Sequence, residues 1–318
     1  MPLRESGEVS CHSGRVSVVL CPGQGSQRPG MLTDWIASGE DRDLNARTML
    51  QQWSNAADLD LIALGCEADA ETIRDTAVAQ PLIVATSLLS WRLYQQLTGA
   101  QPSLTAGHSV GELAALAVAG VISDADAVAL AAIRGRAMAA AAAQESTSMA
   151  AVIGGDRTAV LAALDAAGLT PANINGSSQV VAAGPSEAIA ELVEHAPAGT
   201  RVKQLAVAGA FHTMAMADAV PAVATAVAGL TAETPICPII SNRDGAAISD
   251  GSEALGRIPE QITQPVRWDL CQDALASAVA STGVELAPAG VLRGLIRRDI
   301  PTLSVTALTP AALASAGR

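Results

Sequence analysis

The run Gly107-His108-Ser109-Val110-Gly111 sets a glycine two positions to either side of one serine. Strand-like Leu104-Thr105-Ala106 precedes it, and the helix formers of residues 112–119 follow, closed by Gly120. A strand that turns into a helix over so few residues brings backbone against backbone, and only glycine fits at the flanks. The predicted turn pushes Ser109 outward at the start of a helix, where free N–H groups and the helix dipole favour an oxyanion. Such a strand–turn–helix demands a sheet with helices packed on it, and it suits covalent acyl transfer. By itself the pattern is only moderately specific, because Gly-Ser-Gly runs also occur in ordinary loops.

The surrounding sequence extends the α/β alternation. Residues 16–20 read as a buried strand leading into the glycine-rich loop Pro22-Gly23-Gln24-Gly25-Ser26-Gln27. Apolar residues recur at helical spacing over 77–97. Ser123-Asp124-Ala125-Asp126 caps a helix that runs past Arg134 and Arg136 towards Ala143. The texture changes near Glu145. Strand 149–153, helix 160–167, a hairpin-like pair over 173–183, a helix opened by Pro185-Ser186-Glu187 and strand 201–207 follow in the order β-α-β-β-α-β of a ferredoxin-like unit. Beyond it, helices over 214–230 and 258–280 alternate with strands over 236–240, 284–286 and 303–305. The predicted fold is α/β: an α/β-hydrolase-like parallel-sheet core over 15–144 and 207–318, an inserted ferredoxin-like subdomain over 145–206, and a flexible tail over 1–14.

Composition narrows the function class. A formal net charge of −12 over 318 residues disfavours nucleic acid and anionic membranes as partners. Apolar runs fall well short of the ~18 residues that span a bilayer, and the charged first fifteen residues do not resemble a secretory signal. Cys11, Cys21, Cys66, Cys237 and Cys271 are scattered with no C-x-x-C, which predicts reduced thiols in a cytoplasm and no zinc site. The expected protein is a cytoplasmic monomer.

A serine hydroxyl needs a base. His12 lies in the tail, His108 belongs to the turn itself, and His195 sits at a polar helix end. His212 lies in the small-residue segment 207–213, after a strand and before a helix, where α/β proteins place reactive groups. The order Ser109 then His212 suits an elbow enzyme. The intervening Asp156 and Asp165 fall in the inserted unit, and Asp156 reads as a helix cap. The residues therefore predict a Ser–His dyad with a backbone carbonyl or an amide holding the imidazole. The loop at Gly23-Gln24-Gly25 lacks the Lys-Ser/Thr of a phosphate cradle, and it suits a second oxyanion N–H beside that of Val110.

Taken together, Pro22–Gln27, Gly107–Glu112, Arg134-Gly135-Arg136-Ala137-Met138, Ala210-Phe211-His212, Ser241-Asn242-Arg243-Asp244-Gly245 and Gln261-Ile262-Thr263-Gln264-Pro265-Val266-Arg267-Trp268 resemble the malonyl-CoA:acyl carrier protein transacylases of type II fatty-acid synthesis. The resemblance runs from about residue 16 to 308. It implies Ser109 as nucleophile, His212 as general base, and the amides of Gln24 and Val110 as the oxyanion hole. It further implies Gln261 as the carbonyl that orients the histidine, Arg134 as the grip on a substrate carboxylate, and Asn175 as a polar residue near the cleft. Malonyl-CoA and acyl carrier protein are the implied partners, with no metal or other cofactor. A guanidinium fork suits a malonyl carboxylate; the residues alone favour reading Arg134 as a surface partner of Glu145 or an aspartate. Val110 and Phe211 match the malonyl-type pattern, Phe211 crowding a branched acyl carbon, although Gly209 stands where a histidine is common. A polyketide-synthesis acyltransferase, a serine esterase or thioesterase, and a non-catalytic carrier-protein module remain as alternatives.

Overall fold

The computed structural model describes residues 15–316 except 208 and 279. The expected tail over 1–14, with Cys11 and His12, lies outside the described residues. The chain enters as β1 (Arg15–Val16) and β2 (Val18–Cys21). Helices α1 (Thr33–Glu40), α2 (Ala46–Ala57) and α3 (Leu61–Cys66) follow, a stretch that no sequence motif announced. The long α4 (Thr76–Thr98) starts where the Asp75 carboxylate accepts the Ala77 N–H and stops at Gly99, φ +67°. Then come β3 (Gln101–Pro102), which pairs with β1, β4 (Thr105–Gly107), α5 (Gly111–Val118) and α6 (Asp124–Ala142), capped by Ser123.

Next is a unit with its own sheet: β5 (Thr147–Gly154), α7 (Arg157–Ala166), β6 (Thr170–Ile174), β7 (Gln179–Pro185), α8 (Ser186–Glu194) and β8 (Thr200–Gln204). Its four strands pair antiparallel in the order β6-β7-β5-β8. Val152, Leu164, Val180 and Ile189 form a separate small core there. The chain returns through a 3₁₀ turn, Met214–Ala219, to α9 (Val220–Ala228), β9 (Ile239–Ile240) and β10 (Ala247–Ile248). It ends with α10 (Gly251–Gln261), α11 (Trp268–Ser277), β11 (Thr282–Glu285), α12 (Val291–Asp299), β12 (Ser304–Ala307) and α13 (Pro310–Ala316).

The main sheet has the order β10-β9-β4-β2-β11-β12, parallel throughout except for β10 at one edge. Alternation along β2 divides the interior. Val19 and Cys21 pack into the large core with α4, α5 and α6, while Val18 and Leu20 face the core under α11 and α12.

Several expected elements are shorter or broken. The helix expected over 258–280 is two helices, α10 and α11. Pro265 disfavours helical geometry at Gln264, and Val266 instead pairs with β6, its N–H donating to the Ala172 carbonyl and its carbonyl accepting the Ile174 N–H, each at 2.9 Å. The helix expected over 214–230 begins as a 3₁₀ turn, and Pro221, with no N–H to donate, sits at the start of α9. Pro238 likewise keeps the strand expected over 236–240 to two residues, and the strand expected over 201–207 ends at Gln204.

Cys21 of β2 is register partner to Gly107 of β4, so the loops leaving the two strands start level and side by side. A Cβ on Gly111 would overlap the Cys21 carbonyl, and one on Gly107 would overlap the backbone of Gly111 and Glu112. Gly256, by contrast, is exposed in α10 with nothing near a Cβ. Urea unfolding should therefore show Gly111→Ala destabilised by about 1–3 kcal/mol or more, and Gly256→Ala stabilised by about 0.5–1 kcal/mol.

Candidate active site

Two residues outside the glycines of this region have left-handed backbone. Ser109 lies at φ +53° and His212 at φ +61°. Such conformations are uncommon for side-chain-bearing residues and persist only where the surroundings impose them. The elbow imposes the first. For the second, the Ala210 N–H donates to Thr147 Oγ1 at 3.0 Å, and Thr213 donates back to the Ala210 carbonyl at 2.7 Å. The two strained residues meet: Ser109 Oγ is 2.7 Å from His212 Nε2.

The other imidazole nitrogen settles the proton's place. His212 Nδ1 lies 2.8 Å from the Gln261 main-chain carbonyl, which can only accept. Nδ1 therefore carries the hydrogen, and Nε2 presents a lone pair to the serine hydroxyl. His212 is 3% exposed. Burial, reinforced by the nearby Arg134 charge, pushes its pKa down to about 3, so the ring is neutral near pH 7.

Arg134 is 1% exposed and does not pair with Glu145 at the surface. Its guanidinium donates to Gln80 Oε1 at 2.7 Å, to Gln261 Oε1 at 2.8 Å and to Ser109 Oγ at 3.3 Å. Its buried Nε has no acceptor among the described residues. Burial lowers its pKa to about 10, which leaves it cationic. A buried cation held by neutral amides, with a donor unspent, invites an anionic ligand.

The remaining expected residues are placed around the elbow by their own contacts. Val110 is buried at the start of α5 and Phe211 beside His212. Gln24 sits in the loop after β2, its side chain donating to Thr76 Oγ1 at 3.1 Å, and the neighbouring Gly23 lies against the His108 carbonyl. Asn175 meets the elbow through His108: their Oδ1 and Nε2 are 2.8 Å apart. The His108 ring also packs on Trp268, centroids 5.4 Å apart. Asp156 caps α7, accepting the Ala159 N–H at 2.9 Å, and His195 is exposed.

Asn242 carries a role that the sequence reading did not assign. Its Oδ1 accepts the Ser109 N–H at 2.7 Å, and its Nδ2 donates to the Gly107 carbonyl at 2.6 Å. It lies in the loop after β9, the strand beside β4, and that position is the signal by which it was findable. Among the described residues no cluster of His, Cys, Asp and Glu could hold a metal ion, no helix is long and apolar enough to cross a membrane, and Cys21, Cys66 and Cys271 are free thiols.

Comparison with known proteins finds relatives along nearly the whole chain. The acyl transferase domain family matches residues 18–313. A malonyl CoA-acyl carrier protein transacylase of Mycobacterium tuberculosis is 47% identical over 287 residues, 89% of this chain and 92% of that protein. The crystal structure of the MCAT of Mycobacterium tuberculosis superposes with a TM-score of 0.88 at 46% identity, covering 95% of this chain and 99% of that one. A type II PKS acyl-carrier protein in complex with its malonyl-transacylase gives 0.88 at 30% identity, over 95% and 98% of the two chains.

His212 also makes a stability prediction. The unfolded chain takes up a proton on this ring below about pH 6.5, whereas the folded ring resists it down to about 3. Stability is therefore lost as pH falls through that window. Scanning calorimetry should show the wild-type Tm dropping more steeply than that of His212→Gln between about pH 6.5 and 4.

Proposed function

The chain belongs to the acyl transferase domain family, and from that premise we propose that it transfers malonyl from malonyl-CoA to the phosphopantetheine thiol of an acyl carrier protein, with Ser109 as nucleophile. The observation that carries this reading is the buried Arg134 guanidinium 3.3 Å from Ser109 Oγ. In a malonyl-serine ester the free carboxylate sits one methylene beyond the ester carbonyl, within reach of that guanidinium. Leaving the Nε–H buried and unpaired costs about 1–3 kcal/mol, which a bound carboxylate would remove.

The steps follow from the hydrogen bonds. His212 Nε2 takes the Ser109 proton as Oγ bonds to the thioester carbonyl carbon. The amides of Val110 and Gln24 stabilise the resulting oxyanion at the start of α5. The carbon–sulfur bond breaks, CoA leaves with the proton from imidazolium, and malonyl-Ser109 remains. The carrier thiol then gives its proton to His212, its sulfur attacks the ester, and Ser109 Oγ recovers the proton. The partner of Nδ1 is the neutral Gln261 carbonyl, so a Ser–His dyad carries the chemistry. The reaction as written calls for no metal or redox group.

The buried Phe211 beside the base limits branching at the acyl carbon. The mainly parallel sheet supports reading the core as α/β-hydrolase-like, and the β-α-β-β-α-β order with sheet order β6-β7-β5-β8 supports reading the inserted unit as ferredoxin-like. The free thiols fit a cytoplasmic enzyme. Carrier proteins of polyketide synthesis present the same thiol and belong to the same partner class.

Intact-protein mass spectrometry after mixing with malonyl-CoA should show one added malonyl group, discharged by acyl carrier protein and missing in Ser109→Ala. An esterase would instead pass the acyl group to water. Arg134→Ala should lose about 2–4 kcal/mol of preference for malonyl over acetyl thioesters. An undiminished preference would remove Arg134 from the proposal.

A further inference from the structure

Glu112 opens the first turn of α5, where an acidic side chain suits the helix dipole. It is 6% exposed, and both its oxygens are engaged. Oε1 accepts the Asn242 backbone N–H at 2.6 Å, and Oε2 accepts the Gln261 side-chain amide N–H. Gln261 in turn touches Ser109, Arg134 and His212. Its Nε2 also donates to the Ser109 carbonyl at 3.1 Å, its Oε1 accepts from Arg134, and its main-chain carbonyl holds His212.

The two ends of a glutamine amide are nearly equal in size, so packing does not choose between them. Charge does. With a carboxylate on one side and a guanidinium on the other, one orientation pairs every group: NH₂ towards Glu112 and C=O towards Arg134. From this juxtaposition we propose that Glu112 is a positioning residue for substrate choice, its carboxylate fixing the sense of the Gln261 amide and thereby aiming Arg134 at the malonyl carboxylate. The proposal rests on the reading of this site as a malonyl transferase.

Glu112→Gln keeps the size and inverts one contact. The Asn242 N–H demands the oxygen end of the new amide, so its NH₂ end faces Gln261. Gln261 must then turn, presenting NH₂ to Arg134, and donor meets cation. Protonation of Glu112 does the same, since one oxygen becomes a donor. Burial raises this carboxyl to about 7, against the pull of Asn242, Gln261, Arg134 and Arg257. The charged or titratable groups facing it are Arg134 from α6, Arg257 from α10 and the Cys271 thiol from α11. The carboxylate form holds above that value and is lost below it.

The test compares Ser109 acylation by malonyl-CoA and by acetyl-CoA in the whole enzyme. In Glu112→Gln, malonyl preference should fall at least about tenfold, chiefly through KM for malonyl-CoA, while the acetyl rate holds within about threefold. In the wild type the preference should fall between about pH 8 and pH 6, and in the variant it should stay flat. An unchanged preference in the variant, or proportional loss of both substrates, would overturn the proposal. So would a wild-type preference independent of pH, a measurement that decides alone if the variant does not fold. A wild type that takes malonyl from CoA with a pH-flat preference sinks only the role of Glu112. One that takes no malonyl near pH 8 sinks the reading of the site and this proposal with it.

Discussion

The site depends on the hydrogen bond from His212 Nδ1–H to the Gln261 main-chain carbonyl, 2.8 Å long. It holds the ring in one tautomer, turns the free lone pair of Nε2 onto Ser109, and does so with a neutral carbonyl where a carboxylate could have stood. An aspartate in that place would sit close to Arg134 and compete with a substrate carboxylate for it. A neutral acceptor leaves the guanidinium as the dominant charge facing the nucleophile, and binding and chemistry then share one small volume without cancelling each other.

That carbonyl is available because its helical donor would be the N–H of residue 265, which Pro265 lacks, so that among the described residues only the Gln264 N–H approaches it from the backbone, at 3.4 Å. The same interruption frees Val266 to pair with β6, and Gln272 on the following helix donates to the Asn175 carbonyl at 3.2 Å. One break thus orients the base and joins the smaller sheet to the main body beside the elbow, where Asn175 meets His108.

Much of this was legible in the chain. The elbow, the capped helix carrying Arg134, the β-α-β-β-α-β unit and His212 in its small-residue segment follow from local chemistry: glycine where backbones touch, Ser123 and Asp156 at helix starts, short apolar runs in strands. What escaped was set by tertiary contact. The α1–α3 segment carries few caps; Ala46, Leu50, Trp53 and Ala57 recur at helical spacing in α2, and the segment packs because α4 offers a surface. Asn242 and Glu112 act through partners more than a hundred residues away, such as Asn242 on Ser109, and no local pattern distinguishes a buried glutamate at a helix start from an exposed one. Pro265 is the local feature that a single helix over 258–280 cannot accommodate, since it has no N–H for the Gln261 carbonyl.

The left-handed backbone at Ser109 and His212 has a further consequence. Each such residue is held against its own preference, at about 1–3 kcal/mol, by packing that exists only when the whole sheet and its helices are assembled. Loosening that packing releases both residues towards ordinary conformations long before the helices melt. Competence for acyl transfer is thus a property of the finished tertiary structure, and a partly denatured chain rich in helix would already be catalytically silent.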